Sequence, residues 1–442
     1  MPLPRLRTLG LLIGLLAARV AWTDEAPKSA VEHGRLTSID GLPVLELWGT
    51  RTEMAYAHGY LQAREIVRNF DEFILTDAIL PDLALYGSVV LPSQRVRWEW
   101  DGVEAELAAM LEGMKARLGP GKVWSKRLER ELAVDDLMAA NTVPDWNGLF
   151  CSSFSVWGAM SADGNTLTAR NLDYDFTPSM VNAQIIMIQH GAPATADTPA
   201  RKPWIAVTWP GLLGVFTGVN GDNVGVFSHD SNSLPKSHAS GFTPRGIIYR
   251  ETLEQASGSN AMGDVARILR SRRVICGNNL HVCAPRRGDE QPACVFEYDA
   301  NAEAGGVTER LDDATANVLD GTAKKAADGP AIADAKRVPL TAPPVVGSLV
   351  CTNHMRSRKP TNNKCHRYAR LMKGLHEAAE AKKPLDVAAA FELISGAAGK
   401  TTLHTVVLEA NAGRLHVRIP ALKPAPVTID YLKWFETAGA GR

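Results

Sequence analysis

The sequence predicts an α+β protein whose helices and strands come in separate runs rather than in βαβ alternation. Three observations support this. Apolar residues recur at spacings of three to five from Thr52 to Leu75, through Met54, His58, Leu61, Ile66, Phe70 and Phe73, a helical period. From Cys151 onward the chain turns to short extended runs bounded by Gly, Asp and Asn. Helical periods then return in pairs, near 247–272 and 366–396, between groups of strands.

Taken in order, residues 24–50 form a strand-forming lead-in with LeuProValLeuGluLeuTrp as its apolar run. The helix that follows starts at Thr52 and Glu53, and 103–118 and 125–140 read as two more, so the segment before residue 150 is mainly helical. ThrValProAspTrpAsnGlyLeuPhe, which ends at Phe150, has the Pro, Asp, Asn and Gly of a loop. Next come CysSerSerPheSerValTrpGly, the turn AlaAspGlyAsn, and ThrLeuThrAlaArgAsnLeuAspTyr, a hairpin signature. Strands begin at 183, 204, 214 and 224, a strand pair spans 280–298, and ThrLeuHisThrValValLeuGlu and ArgLeuHisValArgIle close the chain. Residues 301–345, rich in Ala, Asp, Gly and Pro, are expected to be a flexible surface insertion.

The chain has 442 residues, 45% hydrophobic and 22% charged, with 48 basic and 48 acidic side chains. That balance argues against nucleic acid as a partner. No phosphate-cradling loop, zinc-ligand cluster or repeat is present, and no cofactor or metal is expected. At the N-terminus, Arg5 and Arg7 precede an apolar run, Leu9 to Ala18, and small residues follow. This predicts a signal peptide over 1–23 and a secreted or periplasmic protein, with no stable membrane span once the signal is removed. Arg19 interrupts the cleavage motif, so an uncleaved anchor is the second reading. Export places six cysteines in an oxidising compartment, where three disulfides, or structural cysteines plus one free thiol, are both open. Cys283 and Cys294 flank a polar turn and are expected to face each other across a hairpin.

The chemistry concentrates at Cys151. With the hairpin turn centred on 162–164, paired positions sum to about 325–327. That sets Cys151 opposite 174–176, with Asp173 and Arg170 close by. A guanidinium beside a thiol favours the thiolate, and a carboxylate can hold an ammonium. A general base is missing from this neighbourhood. Cutting the Phe150–Cys151 bond supplies one, because the freed α-amino group has a pKa near ~8. One residue then carries nucleophile and base. Gly148 upstream is expected to permit the strained backbone that self-cleavage needs.

The run AsnThrValProAspTrp…CysSerSerPheSerValTrpGly…AlaAspGly…AlaArgAsnLeuAspTyr resembles the autoproteolytic site of N-terminal-nucleophile (Ntn) cysteine hydrolases. It is most similar to the C45 acyltransferase/hydrolase family, with isopenicillin N acyltransferase in it, and more distantly to acid ceramidase and the penicillin V acylase/bile salt hydrolases. GlyThrArgThrGluMetAlaTyrAlaHisGlyTyrLeu at 49–61, CysThrAsnHis at 351–354, CysHisArgTyrAlaArgLeu at 365–371 and the strand at 402–409 extend the resemblance in order. It implies a four-layer αββα sandwich. Residues 24–150 would form a small helical subunit or propeptide, and 151–442 the large subunit, from one zymogen. It implies Cys151 as nucleophile, Arg170 orienting the site, Asp173 holding the α-amino group, Asn353 donating to the oxyanion and Arg367 fixing the network, with Asp230 as a possible further site residue. The expected activity is hydrolysis of N-acyl amides, linear or cyclic, through a Cys151 thioester, or transfer of the acyl group. The substrate partner is then a small N-acyl amide or lipid-like molecule.

Blander roles stand beside these. Cys151 reads alternatively as a disulfide or core thiol, Arg170 and Asp173 as a surface ion pair, and Asn353 and Arg367 as neighbours of a Cys351–Cys365 bridge. His229 with Asp230 lacks a third ligand for a metal. Of Trp146, Trp157, Trp204 and Trp209, one or two are candidates to line an acyl pocket. The alternative functions are a phospholipase B-like ester or lipid deacylase on the same scaffold, and a non-catalytic secreted binding protein.

Overall fold

The computed structural model describes residues 29–78, 82–146, 148–174, 177–194, 199–231, 240–300, 306–311, 344–357 and 365–437. The signal-peptide segment 1–23, and most of the insertion 301–345, lie outside them.

Two sheets form the interior. The ten-stranded sheet runs β1 (Ala30–Val31), β2 (Gly34–Ile39), β3 (Leu42–Leu47), β8 (Ile185–Gln189), β9 (Trp204–Thr208), β10 (Thr217–Asn220), β11 (Gly225–Ser231), β12 (Gly277–Cys283), β13 (Ala293–Tyr298) and β14 (Val307–Arg310). All neighbours are antiparallel except β3 and β8. The second sheet is fully antiparallel: β15 (Ser348–Thr352), β6 (Phe150–Val156), β7 (Leu167–Asp173), β16 (Thr402–Glu409), β17 (Arg414–Ile419) and β18 (Lys423–Asp430). A small hairpin, β4 (Trp124–Ser125) with β5 (Arg130–Glu131), stands apart.

The sheets stack face to face. Val44, Ile186, Ile205 and Val219 of the first meet Val406, Leu408, Val417 and Ile429 of the second. The outer face of the ten-stranded sheet is covered by helices that include Arg51–Asn69, Val103–Leu118 and Arg245–Gln255. Helices His366–Glu380 and Val387–Gly396 cover the other sheet through Tyr368, Leu371 and Ile394. The architecture is therefore a four-layer αββα sandwich. Being covered on both sides, its central strands read as unbroken apolar runs: in β16, Val406 and Leu408 face the partner sheet while Val407 faces the helices.

The N-terminal segment is woven into this sandwich. Its strand β3 pairs with β8, and its helices Arg51–Asn69 and Val103–Leu118 touch backbone to backbone. A Cβ on Gly59 would lie 1.9 Å from the Met110 carbonyl oxygen, and one on Gly113 2.1 Å from that of Tyr56, so only glycine fits at this crossing.

Several sequence expectations are corrected. The first helix is capped by Thr50, not Thr52, because Thr50 and Glu53 bond each other's backbone N–H in a capping box. Its α-helical part ends at Asn69 and a π-helical segment, Phe70–Ala78, continues it. Residues 124–131 form the β4–β5 hairpin, so the next helix starts only at Val134 and runs to Trp146, through Pro144. Val307–Arg310 is a strand rather than part of a loose insertion: Arg310 is buried and bridges Glu297 at 3.1 Å. All six thiols are free. Cys283 sits opposite Ala293, not Cys294, and the two sulfurs belong to different sides of the sheet. Cys351 and Cys365 likewise lie on opposite faces of the second sheet. Among the described residues no helix is long and apolar enough to cross a membrane.

Candidate active site

The hairpin forms from β6 and β7, but Cys151 pairs with Leu172 and Phe150 with Asp173. The register differs from the sequence expectation because the connection is not a two-residue turn. It holds a 3-10 turn at Gly158–Met160 and an Asx turn in which Asp163 accepts from the Asn165 backbone N–H at 2.9 Å. Gly164 supplies the left-handed residue. The slip brings Asp173 and Arg170 nearer to the cysteine than expected.

Pleating then assigns sides. Cys151, Ser153, Arg170 and Leu172 share the face toward the other sheet, while Phe150 and Asp173 share the face toward helix His366–Glu380. On the first face, Arg170 is buried and donates from Nη2 to Cys151 Sγ at 3.2 Å and to the Ser228 carbonyl at 2.8 Å. Its Nη1 donates to Thr217 Oγ1, which lies 2.9 Å from His404 Nε2. The His404 Nδ1 is 2.8 Å from Gln184 Oε1, an atom that can only accept, so Nδ1 carries the ring proton and Nε2 accepts from Thr217. Arg170 is thus clamped by a directed chain of hydrogen bonds.

On the second face, Asn353 lies just beyond β15. Its Oδ1 accepts the Cys151 backbone N–H at 2.8 Å and Arg367 Nη2 at 2.7 Å. Arg367 Nη1 also reaches Asp173 Oδ2 at 3.0 Å, and Thr402 donates to Asp173 Oδ1. The Asn353 amide donates to the Leu149 carbonyl at 2.6 Å and to the Asp230 carbonyl at 2.9 Å. In the intact chain that donor is therefore occupied by the backbone two residues before Cys151.

Asp230 grips the same segment. Its carboxylate accepts the Leu149 N–H and pairs with Arg245, which also donates to the Pro144 carbonyl and, at 2.7 Å, to Asn278. The expected strain at Gly148 is absent: Gly148 has no left-handed φ, and a Cβ there would sit 3.4 Å from Asp230. His229 turns inward, to Ser153 Oγ at 2.9 Å, away from the Asp230 carboxylate.

Electrostatically the intact site is resting. Burial pushes the Cys151 thiol up to about 11, and Arg170 only partly opposes it. Burial also raises Asp173 and Asp230, against Thr402 and Arg367 for the first and Arg245 for the second. Asp145, beside Arg245, is raised by burial to about 7.

Beside the cysteine opens a narrow apolar cavity of ≈ 70 Å³. Leu149 and Leu172 border it next to Cys151, Ile66 and Phe70 come from the N-terminal helices, and of the tryptophans named from the sequence Trp209 is in its wall.

The structure brings Cys151, Arg170, Asp173, Asn353, Arg367 and Asp230 together around the Phe150–Cys151 bond. Sequence reasoning missed Thr217, His404, Thr402 and Arg245. Thr402 and His404 lie in a strand already singled out, whereas Arg245 has no local signal.

No protein-family model and no curated protein matches the sequence. Solved structures with some likeness include an N-acylethanolamine-hydrolyzing acid amidase ortholog of Caenorhabditis elegans, at 16% identity and TM-score 0.37, covering 59% of this chain and 93% of that one. A mutant conjugated bile acid hydrolase from Clostridium perfringens gives 12%, 0.39, 64% and 93% for the same quantities. Penicillin V acylase from Agrobacterium tumefaciens gives 11%, 0.37, 64% and 87%. Likeness at this level carries no chemistry over to this chain.

Proposed function

We propose that this chain is an autoproteolytic amide hydrolase whose nucleophile is Cys151. One observation carries the reading: Cys151 is held at both ends of its reactive unit, Sγ by Arg170 at 3.2 Å and the backbone N–H by Asn353 at 2.8 Å. A structural cysteine needs no guanidinium at its sulfur, and its buried N–H needs only some acceptor rather than a side chain tied to Arg367.

In the proposed maturation, Sγ loses its proton and attacks the Phe150 carbonyl carbon. The C–N bond then breaks, the Cys151 nitrogen takes up a proton, and the acyl group rests on sulfur as a thioester. Water hydrolyses the thioester, leaving a Phe150 carboxylate, a free thiol and a free α-amine. Departure of 149–150 from the site would release the Asn353 amide from the Leu149 carbonyl. The α-amine, near its usual pKa of ~8, takes the thiol proton. The thiolate attacks the substrate amide, and Asn353 donates to the oxyanion, a contribution of about 3 kcal/mol by analogy with such donors. The amine leaves with the proton, and water releases the acid. Asp173, tied to Arg367 and Thr402, holds the α-ammonium, and the apolar cavity takes the acyl chain. Residues 24–150 remain packed on 151–442 as the small subunit, and the uncut zymogen is inactive because its α-amine is an amide. Residues 1–23 direct export.

Intact-mass analysis tests this. Wild-type protein should yield a fragment that begins at Cys151, and Cys151→Ala a single chain without amidase activity. A wild-type chain that stays uncut, or an active Cys151→Ala protein, refutes the reading. Matched amide and ester substrates then show which bond is preferred.

A further inference from the structure

Among the described residues, the wall of the apolar cavity has polar groups that a hydrocarbon chain does not need. Asn69, the last residue of helix Arg51–Asn69, lines it, and is 7% exposed. Both its Oδ1 and Nδ2 are buried without a hydrogen-bond partner. The rest of the wall is apolar but for two groups: the indole N–H of Trp209, already bonded to the Met180 carbonyl at 2.8 Å, and the hydroxyl of Tyr174, which follows β7. The helix changes to π-helical winding at the next residue, Phe70, and such segments occur often at functional sites. A buried amide with both groups unsatisfied destabilises the folded chain unless a ligand completes it.

We infer that Asn69 reads the acyl group, and that the substrate acyl chain carries a hydroxyl that enters the cavity and bonds the Asn69 amide. A hydroxyl suits both halves: its O–H donates to Oδ1 and its oxygen accepts from Nδ2. The inference rests on the proposed hydrolase activity, with the cavity as its acyl site. A hydroxyl placed against the apolar part of the wall is buried without a partner and is rejected. A plain chain leaves Asn69 unpaired, and sites built around a polar group discriminate against substrates that lack its partner.

The test uses the self-cleaved wild-type protein and a series of fluorogenic aminocoumarin amides. They share one acyl chain length, either unsubstituted or with a single hydroxyl moved along the chain. One hydroxyl position should raise kcat/KM over the plain chain by about 10-fold or more, while other positions lower it. Asn69→Leu, close in volume, should reduce that preference to below about 2-fold and shift Tm upward, because an orphaned amide has been removed. Self-cleavage on a denaturing gel reports folding of the variant, and the wild-type series stands without it. If no position is preferred in wild type, or if Asn69→Leu keeps the preference, or lowers Tm with the preference intact, the inference fails. If the cleaved protein turns over none of the amides, the hydrolase reading itself has failed.

Discussion

The space between the two sheets has a polar end and an apolar end, and the same strands build both. In β10, Thr217 faces the polar end and Val219 the apolar one; in β11, His229 and Phe227 divide likewise, and in β16, His404 and Val406. At the apolar end Leu408, Val417, Ile205 and their neighbours are held by burial alone, which needs shape but no direction. At the polar end each group has a fixed direction. His229 Nδ1 is 3.0 Å from the Phe227 carbonyl, so its Nε2 accepts from Ser153. Ser153 in turn accepts from His281 Nδ1 at 2.7 Å, and His281 Nε2 accepts from Ser155. Burial lowers the pKa of both histidines, and the network holds them neutral. Stability and site are thus separated by about two residues along each strand.

Breaking each end should give opposite results. Arg170→Met removes the clamp on Cys151 and should slow self-cleavage by about 10²- to 10³-fold, the scale for a preorganised electrostatic contact. Tm should hold, because a buried cation with neutral partners contributes little net stability. A gel time course with calorimetry measures both. Leu408→Ala should do the reverse: a loss of about 2–5 kcal/mol by denaturant unfolding, with self-cleavage retained. Equal effects of both substitutions on both readouts would erase the distinction.

A third change sharpens the upstream edge of the polar end. The folded chain holds the Asp145 proton up to about pH 7, against 3.8 ordinarily. Its contribution to stability is therefore full below about pH 4 and lost as pH rises through 7. Tm of an uncut Cys151→Ala chain should fall between pH 4 and 7, and Asp145→Asn should flatten that fall. The smallest effect is expected at Phe150, 56% exposed on the outer face. Phe150→Ala should change stability by less than ~0.5 kcal/mol and leave cleavage going, since the reaction uses its backbone carbonyl.

Much of the layered fold was legible in the sequence because its signals are local. Helical and extended periods placed most elements, and Asp163–Gly164 marked the β6–β7 hairpin. The register was not legible, since the ten residues between those strands hold a 3-10 turn at Gly158–Met160 and an Asx turn at Asp163, which no two-residue pairing rule anticipates. Asn353 and Arg367 came only through resemblance, and Asn69 resembled any other residue of an amphipathic helix.

The sequence by itself determined the separate runs of helix and strand, and the hairpin that carries Cys151 with Arg170 and Asp173. Tertiary structure alone decided that Cys283 and Cys294 stay apart and that Thr217 and His404 clamp Arg170. It also decided that Arg245 reaches back to Asp230 and that Asn69 is left without a partner. The physical reason is range. Periodicity and turn chemistry act within a few residues, whereas burial and hydrogen-bond partners are chosen between segments far outside that range, from 15 residues apart for Asp230 and Arg245 to 187 for Thr217 and His404.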